Sequence, residues 1–361
     1  MSVARINRTE GVESLKYFLW KWKSSSSKRA GVSFLGRIFV AITLLSLTSY
    51  ALSEDSLQRP VMKSKLASHL LLTDSVHQGK RFFAPGLYGN ILYSEDGINW
   101  HQSNSPTQAL LTTIFFVDDN EGWAGGHDTL ILHTTDGGEN WEIQYEDPIT
   151  GGDIPKPVLD IVFKDKNNGY AIGAYGLILV TSDGGDNWEV VDTSTDLYDL
   201  LESKEMEPEP NFNSMILYQD KLLIAGELGT IITFDDTVEG VERWQVIDSP
   251  YTGSFFGIKE LSSGELMIYG LRGNLYRSID SGQSWDKIET ATIANIFDCI
   301  ETSDGKLVLI GASGTILRMD KRAMETEKIP YQHFDSLMSV QKIRGSDLLL
   351  FGSSGVKIIS L

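Results

Sequence analysis

The sequence is poor in most of the residues that carry recognisable chemistry. Its 361 residues include one cysteine, Cys299, so an internal disulfide is excluded. That cysteine lies in the apolar run Ile296-Phe297-Asp298-Cys299-Ile300. In such a run it reads as a small buried hydrophobe rather than a nucleophile. The six histidines do not pair at metal-ligand spacing. There is no HExxH, CxxC or GxSxG, no P-loop, and no glycine fingerprint between a strand and a helix. The reading is therefore no catalytic set, no metal and no cofactor. Carboxylates are plentiful, however, and a glycosidase pair is not excluded by counting. Such a pair needs two acids held across a cleft with one pKa raised. Positive charge is scarce as well: 31 Lys and Arg against 49 Asp and Glu leave a net charge of −18. The two ends of the chain differ, because residues 1–53 carry a surplus of +6 and the remainder −24. An acidic body of this kind is repelled by phosphates, which excludes nucleic acid as a partner.

Long apolar runs are confined to the N-terminus. Ile38–Leu47, taken with Val32–Phe34, approaches the length of a membrane span, with Arg37 interrupting it. The basic stretch before it and the small residues near Ser49-Tyr50-Ala51 also fit an export signal. Residues 1–53 are accordingly expected to be a basic N-terminus with a hydrophobic signal or anchor helix. If it stays uncleaved, residues 32–52 contact the membrane. In both cases the charge asymmetry keeps the N-terminus in the cytoplasm and exports the acidic domain, either into the periplasm or onto the inner membrane facing it.

What the remainder has is repetition. Gly86-Leu87-Tyr88-Gly89 returns as Gly173-Ala174-Tyr175-Gly176, Gly226-Glu227-Leu228-Gly229, Gly270-Leu271-Arg272-Gly273, Gly311-Ala312-Ser313-Gly314 and Gly352-Ser353-Ser354-Gly355. Gly126-His127-Asp128-Thr129 is a further copy without the second glycine. The first glycines are spaced 40, 47, 53, 44, 41 and 41 residues apart. A period of about 40–45 residues suits one four-stranded propeller blade. The fold expected is all-β: a seven-bladed β-propeller of four-stranded blades over residues 67–361, a single monomeric domain. Residues 54–66 are expected to be a linker and closing strand. The last blade has material for three strands, so its fourth is expected from Val61–Ala67, closing the ring without an exposed edge.

A second motif, Ser/Thr-x-Asp-x-Gly-x-x-Trp, accompanies the glycines. It runs through Thr134, Asp136, Gly138 and Trp141, through Thr181, Asp183, Gly185 and Trp188, and through Ser278, Asp280, Gly282 and Trp285. Ser94, Asp96 and Trp100 form a copy one residue short, and eroded versions lie around Asp235–Trp244 and after Asp320. This is the Asp-box. Its hydroxyl and carboxylate accept hydrogen bonds in a tight turn, its Gly supplies positive φ, and its Trp buries apolar area. These residues shape hairpins rather than perform chemistry.

Binding is expected elsewhere. The turns between second and third strands open on the same face as the connections between blades, and long insertions on one face are where repeat proteins usually bind. The insertions are Tyr145–Pro157 and the acidic Thr193–Asn211, the latter reading as a solvated loop. Tyr88, His127 with Asp128, Tyr175, Glu227, Arg272 and Ser313 are expected to ring the mouth of the central channel. Arg318 joins them as a candidate partner contact.

The segments Gly122-Trp123-Ala124-Gly125-Gly126, Leu130–Trp141 and Asn168–Trp188 resemble the photosystem II stability/assembly factor family over roughly residues 60–361. The resemblance implies a seven-bladed propeller and a non-enzymatic factor that docks on membrane protein intermediates during assembly. Members of that family use an arginine-rich patch. Here Arg272, Arg277 and Arg318 fall on adjacent blades of an acidic domain, which points toward a membrane protein complex other than the photosystem. Asp-box glycoside hydrolases and carbohydrate-binding propellers are the alternative. A sialidase needs an Arg-Ile-Pro segment, and Gly36-Arg37-Ile38-Phe39 lacks the proline.

Overall fold

The structure, a computed structural model, describes residues 59–147 and 155–361. The expected signal or anchor at residues 1–53 lies outside the described residues, as does most of the insertion at Tyr145–Pro157. Residues 57–361 form one compact unit. Among the described residues no helix is long and apolar enough to cross a membrane.

Each repeat folds as an antiparallel meander. In the third, Val158–Phe163 pairs with Gly169–Gly173, which pairs with Ile178–Thr181, which pairs with Glu189–Val190. Alternation explains the outermost strands less well than burial does. The second strands, such as Gly169–Gly173 and Leu266–Gly270, are buried throughout, whereas Glu189–Val190 and Asp286–Lys287 are exposed. A strand covered on both faces reads as a continuous apolar run. Six such four-stranded sheets and one of three strands are found among the described residues, each with its strands in chain order. They are the blades of a seven-bladed propeller.

The core is divided among seven wedges, each shared by two neighbouring blades. Phe83, Ile91, Leu111, Phe116, Leu132 and Trp141 fill the wedge between blades 1 and 2. Phe82, Ala84, Leu92, Leu349 and Phe351 fill that between blades 7 and 1. The last wedge closes the ring, and it does so without the expected shared strand. Residues 61–67 are not a strand. Val61 donates its backbone N–H to Ser105 O at 2.9 Å, and Lys63 Nζ donates to the carbonyls of Gln102 and Ser103. Residues 61–64 thus track the connection between blades 1 and 2, and Ala67 packs into the wedge between blades 7 and 1 without adding a strand to the seventh sheet. Closure among the described residues rests on the apolar wedge, on Leu72 N–H donating to Gly352 O at 3.1 Å, and on Gln341 Nε2 donating to Ser75 O at 2.9 Å.

The acidic insertion also departs from expectation. Asp196–Ser203 is a helix, and its Leu197 and Leu201, four residues apart on one face, are fully buried in the wedge between blades 3 and 4. The opposite side stays solvated: Ser194, Thr195 and Asp199 are exposed, as are Glu202, Glu205, Glu207 and Glu209 at the end of the helix and beyond it.

Candidate functional site: the glycine-turn face

In six blades the first strand pairs its start with the first glycine of the GxxG turn, as in Val158 with Gly173 and Ile296 with Gly311. The turns and the upper end of the innermost strands therefore share one face of the propeller. Both glycines are required sterically. A Cβ on Gly311 would stand 1.9 Å from Asn295 O, in the chain that enters the same blade. A Cβ on Gly314 would stand 2.0 Å from His333 O, in the chain that enters the next one, and Gly314 also has a φ of +66°. The second glycine's N–H then donates to that next chain, as Gly176 does to Pro210 O and Gly314 to Asp335 O.

Between the glycines stands one residue in the left-handed region: Tyr88 (φ 60°), Tyr175 (54°), Leu228 (53°), Arg272 (57°) and Ser313 (54°). This conformation is uncommon for residues with a Cβ, and here the flanking contacts impose it. The N–H of Tyr175 donates to Asn211 Oδ1 at 2.9 Å and that of Arg272 to Asn295 Oδ1 at 3.1 Å. The side chains point out. Tyr88, Tyr175 and Leu228 are 55%, 52% and 51% exposed, and Arg272, Ser313 and His127 are exposed too. Ile293 and Phe334, in the connections between blades, are exposed at 87% and 88%. The exposed residue in blade 4 is Leu228, with Glu227 half-buried one position earlier.

Three of the basic residues do not come together. Arg272 belongs to this crown of turns. Arg277 is buried, donating to Lys321 O at 2.7 Å and to Met324 Sδ at 3.2 Å. Arg318 is paired with Glu327 on the neighbouring strand, 2.5 Å away.

The Asp-boxes behave as expected. Thr181 Oγ1 accepts the Gly185 N–H at 2.9 Å, and Asp183 Oδ1 accepts the Asn187 N–H at the same distance. The short copy does likewise, with Gly97 N–H on Ser94 Oγ and Asn99 N–H on Asp96 Oδ1. Trp141 Nε1 closes its turn on Gly138 O at 3.1 Å. The side-chain amide of Asn187 and the hydroxyl of Ser284 hold the carboxyls of Asp183 and Asp280 below the usual carboxylate range. Cys299 is fully buried, and burial pushes its thiol up to about 12.

The channel opening, a cavity of about 420 Å³, lies inside the crown and is lined by none of the turn residues expected to ring it. It is built instead by a β-bulge at the start of the first strands, seen at Leu111/Thr113, Phe255/Gly257 and Ile296/Asp298. The residue after the bulge reaches the next blade. Asp74 Oδ2 accepts the Ile114 N–H at 3.0 Å, Asp160 Oδ2 the Met215 N–H at 2.8 Å, and Asp298 Oδ2 the Val340 N–H at 2.8 Å. Each innermost strand has a free edge, and these carboxylates cap its donors. Asp74 and Asp160 line the cavity and are half-buried. Burial is the largest influence on them, raising Asp74 to about 6 and Asp160 to about 7. Among the described residues no group of three or more His, Cys, Asp or Glu side chains is placed to hold a metal ion.

This arrangement is that of an Asp-box propeller with a displayed turn face. The sequence model of the photosynthesis system II assembly factor YCF48 family matches residues 151–333, and the chain belongs to that family. No curated protein sequence matches it. Among solved structures, a YCF48 from Cyanidioschyzon merolae superposes with a TM-score of 0.63 at 16% identity, covering 84% of this chain and 98% of that one. A YCF48 bound to a D1 peptide gives 0.61 at 15%, covering 84% and 96%. A streptogramin B lyase gives 0.65 at 13%, covering 84% and 97%. At these identities the structural likeness speaks for the fold alone.

Proposed function

We propose that this propeller is a non-enzymatic docking factor for the assembly or stability of a membrane protein complex, working outside the cytoplasm. The observation that carries the reading is the crown itself. Aromatic, aliphatic and basic side chains are presented on one face by turns whose backbones are fixed from both sides. Exposed apolar groups collected on one face mark interaction surfaces. Membership in an assembly-factor family, and the D1 peptide bound by the solved YCF48, support a polypeptide as partner. The strong negative charge of the domain favours a partner with basic exposed segments. Hydrolysis of glycans gains no support from the Asp-boxes, whose carboxylates are taken up by their own turns.

The test is crosslinking in the cell at native expression level, followed by solubilisation and mass spectrometry. One membrane protein complex is expected to co-purify and to be lost in a Tyr175→Ala/Leu228→Ala double variant that remains folded. Recovery of the bait alone would overturn the reading.

A further inference from the structure

The docking surface leaves the channel opening unused, and its chemistry is one-sided. Asp74, Asp160 and Asp298 line it, and no lysine, arginine or histidine does. Lys259, two residues beyond Gly257 on the first strand of blade 5, is engaged at the Cys299 carbonyl. The bulge positions differ around the rim, with Leu159 and Met338 in blades 3 and 7. In blades 1, 2 and 4 they are Thr73, Thr112 and Asn213, whose side chains donate to Leu111 O, Val158 O and Phe255 O of the next blade. In blades 5 and 6 they are Phe256 and Phe297, half-buried, with ring centroids 5.4 Å apart at a tilt of 53°.

Tyr269 supplies a second, independent observation. It comes from the second strand of blade 5 and crosses over Gly257, where a Cβ would stand 2.2 Å from its ring and 2.5 Å from its hydroxyl. The missing side chain at Gly257 thus admits the tyrosine to the channel opening. The residue is only 4% exposed, and its hydroxyl has no hydrogen-bond partner among the described residues. The charges of Asp298, Asp160 and Asp74 all act on it. A tyrosine hydroxyl without a partner, among carboxylates that no cation pairs and beside aromatic side chains, complements a planar organic cation.

We propose that the channel opening is a receptor for one arginine side chain, presented by the polypeptide that docks on the crown. This inference rests on the docking reading. The guanidinium lies against Phe256 and Phe297, and its N–H groups donate to Tyr269 Oη and to the carboxylates of Asp160 and Asp298. Those carboxylates are already fixed by backbone N–H groups, and Asp160 Oδ2 and Asp298 Oδ1 each accept a single hydrogen bond, which leaves a lone pair for a further donor. Arginine fits better than lysine, because a guanidinium is planar, more weakly hydrated, and has five donors in a fixed fork.

Calorimetric titration of the full chain tests this with two probes, acetyl-Gly-Arg-Gly-amide and the same peptide with neutral, nearly isosteric citrulline. One saturable site is expected for the arginine probe, with citrulline weaker by about tenfold or more. Tyr269→Phe is expected to weaken the arginine probe by about three- to tenfold, and Phe297→Ala to a similar degree. Equal binding of the two probes overturns the proposal. So does arginine binding that neither variant changes, since that places the cation on the acidic outer surface. Capture of a membrane complex without any binding of the arginine probe sinks the receptor and leaves docking standing. Probe binding without capture does the reverse.

Discussion

The two kinds of turn in each blade use their residues in opposite ways. The Asp-box turns inward: hydroxyl and carboxylate bond within one loop, joined by the indole of Trp100 and Trp141, and little is left over for a partner. The GxxG turn holds its shape with atoms that are absent, since two missing Cβ atoms let neighbouring chains pass at contact distance. Its one substantial side chain is then free to face solvent. A repeated motif therefore marks what the frame needs, and the variable position beside it marks what the frame displays. In this chain the displayed residues are Tyr, Tyr, Leu, Arg and Ser at equivalent places.

The comparison breaks hardest at the glycines. Gly311→Ala puts a methyl 1.9 Å from Asn295 O and 3.1 Å from Ile296 Cα, both backbone atoms that cannot step aside. A loss of about 3 kcal/mol or more is expected in urea unfolding. Thr181→Val in an Asp-box keeps the shape and leaves the Gly185 N–H without its acceptor, so about 1–2 kcal/mol is expected. If the two losses were equal, the contrast between steric and hydrogen-bonded turns would fail.

A pH series separates the Asp-box acids from the channel acids. The carboxyls of Asp183 and Asp280 are lowered, so their contribution is present at neutral pH and fades as pH falls below about 4. Asp74 and Asp160 are raised to about 6 and about 7, so the folded state binds their protons more tightly than the unfolded chain does. Stability from this source is lost as pH rises from about 4 to about 7. Thermal stability is thus expected to peak at mildly acid pH. Asp160→Asn preserves an acceptor for the Met215 N–H and is expected to flatten the decline, raising Tm at pH 8 by about 2–4 °C. A decline left unchanged in the variant would acquit Asp160.

The smallest effect is expected where the two rules collide. Thr129 stands where other blades have the second glycine, at φ 53°, with its Oγ1 buried and unpartnered. Thr129→Gly relieves the backbone strain and the lone hydroxyl, at the cost of greater freedom in the unfolded chain. A net gain of about 1 kcal/mol is expected, read as a higher urea midpoint with unchanged slope.

The blades were legible because both turn motifs are local: glycine spacing and Asp-box residues act within one hairpin. Features that depend on neighbouring blades were not. The exposed position in blade 4 slipped by one, from Leu228 to Glu227, because charge stood in for geometry. The helix at Asp196–Ser203 was hidden by its acids, although Leu197 and Leu201 sit at helical spacing. The closing strand is absent because Val61, Lys63 and Ser64 bond to the chain leaving blade 1 and Ala67 packs as an apolar plug in the closing wedge, choices that strand patterning does not encode. The channel carboxylates did leave a trace. Asp74, Asp160 and Asp298 stand 12, 13 and 13 residues before the first glycine of their blades, each followed two residues later by Val or Ile. The arginines looked like a group in sequence, but Arg277 and Arg318 are each spent on local partners.

The left-handed residue in five of these turns has an evolutionary consequence. Its direction is set by backbone contacts on both sides, so its identity is nearly uncoupled from folding. A single codon change at position 88, 175, 228, 272 or 313 rewrites the outward surface at one bearing of the circle and leaves the wedges beneath it untouched. β-Branched residues and proline are penalised most there, because of the positive φ. Partner preference in such a scaffold is inherited as a short circular word, and lineages can diverge in what they hold while keeping the same wheel.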